Sequence, residues 1–170
     1  MVFIKNKSMR KILFLLLALV FVINQPCRAT DHSLDLLSMI KLTPQTATQE
    51  NITSMFGKPV TIEENKKRSW WHYSQGNTNL VICWNKKSDM AEKFSFTSES
   101  KEKLAFDKKS YSKLKSGATD IMQAIKLLGL PKDMTIKTVT QEMHYAYQKN
   151  VLRLFFRDRV LVDFTLLSQQ

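Results

Sequence analysis

Three side-chain types in this chain could do chemistry: thiol, imidazole and indole. Cys27 and Cys83 are the two cysteines; His32, His72 and His144 are the three histidines. A zinc site needs several Cys, His or carboxylate donors, and its ligands recur at short fixed spacings. No such Cys/His pair occurs, and neither a Gly-rich phosphate loop nor a nucleophile elbow is found. His72 and His144 stand at matching places in the pattern described below, so a pair meeting at a junction is one reading. No carboxylate or Cys completes that site, and two solvent-facing strand residues is the expectation. A nucleophilic thiolate needs nearby positive charge and access. Cys83 instead sits among Val81, Ile82 and Trp84, which points to a small residue packed in a central strand. A small hydrolase using Cys83 or the His pair is the lesser alternative; no cofactor, metal or catalytic residue is expected.

Contact chemistry is better supplied. In Trp70-Trp71-His72-Tyr73, successive strand side chains point to opposite sides, so both Trp cannot face one core. If Trp71 and Tyr73 face inward, Trp70 and His72 face outward. Exposed Trp and Tyr are typical anchors of protein interfaces. The candidate anchors are therefore Trp70, His72, His144 and Tyr147. Lys108 and Lys109, in a run that includes Lys101, Lys103, Lys113 and Lys115, would form a rim.

The elements that position these residues follow a recurring order. Gly57-Lys58-Pro59 returns as Gly129-Leu130-Pro131, and His72, Tyr73 and Leu80 fall on His144, Tyr145 and Leu152. Thr48 caps a short helix ending at Gly57; Thr119 or Asp120 caps another ending at Gly129. Alternating segments then follow each helix: 70–73, 80–84 and 94–96, then 143–147, 152–156 and 160–166. Turn-forming Gln75-Gly76-Asn77 and Gln148-Lys149-Asn150 separate the first two of each set. The expected fold is α+β: two tandem repeats, each a short helical element followed by a three-stranded antiparallel meander. A further helix is expected over 33–42.

Lys5, Lys7, Arg10 and Lys11 precede an unbroken apolar run, Ile12 to Ile23, and Cys27-Arg28-Ala29 offers small residues for cleavage. This is the layout of a secretory signal peptide, 1–29. It is shorter than the roughly 20 apolar residues of a membrane span. The repeats then fill 30–97 and 114–170, with a Lys-rich linker at 98–113. The full chain has 26 Lys+Arg against 15 Asp+Glu and is 44% hydrophobic. That composition excludes a disordered polyelectrolyte. Segment 1–29 holds five basic residues and no acid, so the rest carries 21 basic against 15 acidic, net +6. Such an excess is too small for nucleic-acid binding. No later stretch is apolar enough for a membrane span.

Met55-Phe56-Gly57-Lys58-Pro59 and Trp71-His72-Tyr73 resemble the signature of the BamE-like (SmpA/OmlA) outer-membrane lipoprotein family. A tandem of two such units is similar to the β-lactamase inhibitor protein fold. The family's outer-membrane members are lipidated at an amino-terminal Cys, but Asn24-Gln25-Pro26 before Cys27 makes no lipobox. The second copy has Leu130 for Lys and lacks the Trp. The resemblance implies an exported, non-catalytic protein-interaction module, periplasmic or secreted, that recognises another protein through an open sheet face. A binder of anionic envelope polymer or lipid head groups is the alternative, motivated by the charge.

Overall fold

The computed structural model describes residues 33–98, 108–147 and 150–168. The expected signal peptide 1–29, with Cys27, and residues 99–107 of the expected linker lie outside the described residues. Four helices are described: α1 (Leu36–Lys41), α2 (Gln49–Phe56), α3 (Lys108–Tyr111) and α4 (Ile121–Leu128). Eight strands follow one another as β1 (Thr61–Glu64), β2 (Arg68–Gln75), β3 (Thr78–Asn85), β4 (Met90–Ser98), β5 (Asp133–Lys137), β6 (Thr140–Tyr147), β7 (Asn150–Arg157) and β8 (Val160–Ser168). They form a single sheet in chain order, each strand antiparallel to its neighbours.

The helices begin where side chains satisfy free amides. Asp35 accepts from the Leu37 and Ser38 N–H groups, and Thr48 accepts from Asn51 N–H. Asp120 accepts from Gln123 N–H at 2.7 Å, while Gln123 Oε1 accepts from Asp120 N–H at 2.9 Å, a reciprocal capping box. Helices α2 and α4 end at Gly57 (φ 77°) and Gly129 (φ 82°), in a region that favours glycine. Their apolar sides, Ile52 and Phe56 on α2 and Ile121, Ala124, Ile125 and Leu128 on α4, are buried.

Alternation decides which sheet face those helices cover. Tyr73, Leu80, Ile82 and Phe94 in the first half, and Met143, Tyr145, Leu152 and Leu154 in the second, are buried in one core with the helices. Phe56 meets Tyr73 edge-on, ring centroids 6.1 Å apart. Strands β4 and β5 carry the core across the middle through the pairs Phe94↔Ile136 and Phe96↔Met134. The opposite face has no helix against it among the described residues.

Two expectations are corrected. Four strands, not three, follow each of α2 and α4. Strand β1 escaped sequence reading because all four of its residues are exposed, so it shows no alternation. Strand β5 buries Met134 and Ile136 but is only five residues long and begins two residues after Pro131. Along β8 the sequence alternation of Val160, Val162, Phe164 and Leu166 holds for Phe164 and Leu166, which lie opposite the core residues Leu154 and Leu152, but not for Val160 and Val162. A bulge pairs Phe156 with Leu161 and Phe155 with Asp163, leaving Val162 as the extra residue. Leu161 is therefore buried, Val160 and Val162 are exposed, and Phe164 packs edge-on against Tyr111 at 5.7 Å.

Backbone contacts recur at the spacing seen in the sequence. Val60 N–H donates to His72 O at 2.7 Å and Lys132 N–H to His144 O at 2.9 Å. Lys86 N–H donates to Lys67 O, and Asp158 N–H to Val139 O. A bulge follows Cys83 in β3–β4 pairing just as one follows Phe155 in β7–β8 pairing.

Candidate functional site

The uncovered sheet face is built by the residues that alternate with the core. On β2 these are Trp70 and His72, since Tyr73 is buried. Trp70 stands between Glu63 on β1 and Cys83 on β3, and His72 between Thr61 and Val81. Both side chains are half-buried. Trp71 turns the other way and packs on Trp84, centroids 5.3 Å apart. His72 Nε2 lies 3.5 Å from Glu63 Oε1 but makes no hydrogen bond there.

His144 occupies the same face on β6, bonded to Glu142 at 2.7 Å between Nε2 and Oε1. Arg153 on β7 completes the group, with Nη2 at 2.7 Å from Glu142 Oε1 and its guanidinium 5.4 Å from the Phe155 ring centroid. Partial burial alone would raise the Glu142 carboxyl pKa. Hydrogen bonds from His144 and Arg153 outweigh it and hold the group below its ordinary value. Neither Glu142 nor Arg153 is among the candidates drawn from the sequence. A carboxylate two residues before a histidine on one strand face was the available signal, but pairing with Arg153 needs the register.

The two histidines do not meet. Strands β3, β4 and β5 lie between β2 and β6. Four strand spacings put the histidines about 19 Å apart, too far to share an ion. Among the described residues no group of three or more His, Cys, Asp or Glu side chains is placed to hold a metal.

Cys83 is buried on the same face, opposite Trp70 and Lys93. Its thiol pKa is raised, first by burial and then by the negative charge of Glu92, against smaller opposing effects of Arg68 and Lys93. Glu92 is the extra residue of the β4 bulge and is held by Arg68 Nε at 2.6 Å and Asn85 Nδ2 at 2.8 Å. Such a thiol is kept protonated, the opposite of what a nucleophile needs.

Tyr147 ends β6 opposite Asn150, at a register position of the same parity as Met143 and Tyr145. Lys108 and Lys109 open the four-residue α3. The side chains of these three lie outside the described residues. A concavity of about 340 Å³ lies over Phe155, bordered by Thr135, Lys137, Thr140, Glu142, Arg157 and Val162.

No family model matches the sequence, and no curated protein does. The fold is similar to that of a "putative beta-lactamase inhibitor protein" from Streptococcus mutans, with TM-score 0.53 and 15% identity over 79% of this chain and 95% of that one. At that identity the likeness shows the fold alone. A DUF4309 family protein from Bacillus subtilis matches 76% of this chain and 83% of that one at TM-score 0.30 and 15% identity. An extracellular protein containing a SCP domain, from Bacillus anthracis, matches 85% of this chain and 49% of its own at TM-score 0.32 and 11% identity. Among the described residues no helix is long and apolar enough to cross a membrane.

Proposed function

We propose that this chain is an exported, non-catalytic protein-interaction module that binds another protein through the open face of its sheet. The observation that carries the reading is the one-sided sheet: helices cover one face, while the other holds Trp70, His72 and His144 half-buried. A covered face satisfies the core; an aromatic on the bare face does nothing for it. The fold likeness to a protein named as an inhibitor supports a binder. Burial and Glu92 beside Cys83, and the separation of the histidines, argue against the hydrolase alternative.

The recurring backbone bonds and the two bulges support the view that residues 30–97 and 114–170 are copies of one unit of the BamE-like kind, each with four strands. Trp70, His72 and His144 are the anchors for which the structure supplies a setting. Lys108 and Lys109 stay in the proposal on sequence grounds, as does Tyr147, whose register parity is that of Met143 and Tyr145 and not that of the open-face residues.

The test is capture from the envelope and the culture fluid with the parent and with Trp70→Ala. The variant is expected to keep its melting temperature and to lose about 2 kcal/mol or more of partner affinity, as interface anchors do. An unfolded variant would place Trp70 in the core, and undiminished capture would move the interface elsewhere. Export, periplasmic or secreted, is tested by intact mass: the product should begin near Thr30, and an uncleaved or Cys27-acylated chain overturns it.

A further inference from the structure

One end of the open face gathers cations that make no ion pair among the described residues. Lys93 on β4 lies directly opposite Lys137 on β5. Like charges at directly opposed positions destabilise a strand pair. In the next hairpin Thr140 lies opposite Arg157. Among the described residues, Lys93, Lys137 and Arg157 have no ion pair, whereas Arg68, Arg153 and Lys86 are each held by a glutamate. Two of the carboxylates nearest in register are already paired with other cations. Glu92 is bound to Arg68 and Asn85, and Glu142 to His144 and Arg153. Asp163 stands opposite Phe155 and accepts the Phe164 N–H at 2.8 Å. The concavity of about 340 Å³ opens between Lys137 and Arg157, with Phe155 and the bulged Val162 beside them.

A sheet that sets Lys93 directly opposite Lys137 with no ion pair to either breaks a rule that most sheets obey, and such breaches belong with function. The breach costs less once an anion arrives. The recess has Lys137 and Arg157 at its border with Thr140 between them, and Phe155 and Val162 beside them. Glu142, the carboxylate in its lining, is already held by His144 and Arg153, so the two free cations fit a further carboxylate carried next to an apolar residue. Its shape narrows the source. A bilayer presents head groups as a flat layer, which rests on projecting lysines and not inside a recess in a sheet. A loop or strand of a protein projects single side chains.

We infer that the β5–β7 end of the open face is a subsite for an acidic segment of a partner protein, with Lys137 and Arg157 binding an Asp or Glu side chain and Phe155 and Val162 receiving its apolar neighbour. The inference rests on the open-face reading above and adds the chemistry of the partner.

The probe is a short fluorescent peptide alternating Asp and Leu, with an Asn-for-Asp peptide and phosphatidylglycerol vesicles as controls, titrated against the exported full chain. The Asp peptide is expected to bind, to weaken as salt is raised, and to lose about tenfold or more with Lys137→Glu plus Arg157→Glu, as charge reversal does at a complementary interface. Both positions are exposed; circular dichroism checks the fold, and Lys137→Gln plus Arg157→Gln gives a milder second variant. Amide shifts at Thr140 and Phe155 should follow the titration. Equal binding of the Asn peptide, no effect of either double variant, or binding to the vesicles but not the peptide each overturns the inference. Partner capture separates the two readings. Capture lost with Trp70→Ala but untouched by the charge reversal defeats the subsite and leaves the open face standing. Capture untouched by both defeats the open face itself.

Discussion

At the scale of single residues, two tyrosines at matching places in the sheet have different surroundings. Tyr145 Oη donates to Gly129 O at 3.1 Å, whereas Tyr73 Oη is buried without a hydrogen-bond partner. An unpaired buried hydroxyl costs stability, and a paired one contributes about 1 kcal/mol. Tyr145→Phe is therefore expected to cost about 1 kcal/mol in urea melts, and Tyr73→Phe to be neutral or stabilising by a similar amount. Equal losses at both positions would show that Tyr73 has a partner. Burial also pushes the Tyr73 pKa up from 10.0 to about 12. A raised folded-state pKa means the folded chain favours the neutral phenol. The stability tied to it is full below pH 10 and drains as the pH rises toward 12. Tyr73→Phe should lose less stability than the parent over that window; parallel losses would refute the assignment. What sequence could read at this scale was parity: Trp71 and Tyr73 inward, Trp70 and His72 outward. It could not read the third partner, because Arg153 joins Glu142 and His144 only through the register of β6 on β7.

At the scale of elements, the helix ends were the most legible feature, because caps and glycines act locally. Gly57 (φ 77°, ψ −160°) and Gly129 (φ 82°, ψ −169°) hold a backbone region that is essentially closed to other residues. Replacing either by Ala should cost about 1–3 kcal/mol, and by a similar amount, since each closes the same helix-to-strand turn. Denaturant midpoints of the two variants check this; a negligible loss at Gly57 with a full loss at Gly129 would mean the turns are not equivalent. Strand count was less legible. Alternation reveals a strand only when one face is buried, and β1 buries neither. The β8 bulge hid a second fact, since one inserted residue reverses the parity of everything beyond it. Leu161 therefore took the inward place expected for its neighbours.

At the scale of the whole molecule, the sequence reading left open how two halves would join. Edge-to-edge continuation is what the strands do. Phe94↔Ile136 and Phe96↔Met134 lie side by side at the β4–β5 seam, and all four are buried in the one core cluster. A seam made of core residues ties the stability of each half to the other, so residues 33–168 should unfold in one cooperative step. The three tryptophans, Trp70, Trp71 and Trp84, all lie in the first half, so their fluorescence reports that half. Hydrogen exchange at Tyr145 and Leu152 reports the second. The two probes are expected to give one urea midpoint in the parent. Phe96→Ala removes a side chain that touches both halves, opposite Leu80 on one side and Met134 on the other. Truncating a buried Phe costs about 3–5 kcal/mol. If the seam couples the halves, both midpoints fall together, by that loss divided by the denaturant slope. If instead the fluorescence midpoint falls while exchange at Tyr145 and Leu152 keeps its parent value, the second half folds on its own. The halves would then be two domains that share a sheet edge.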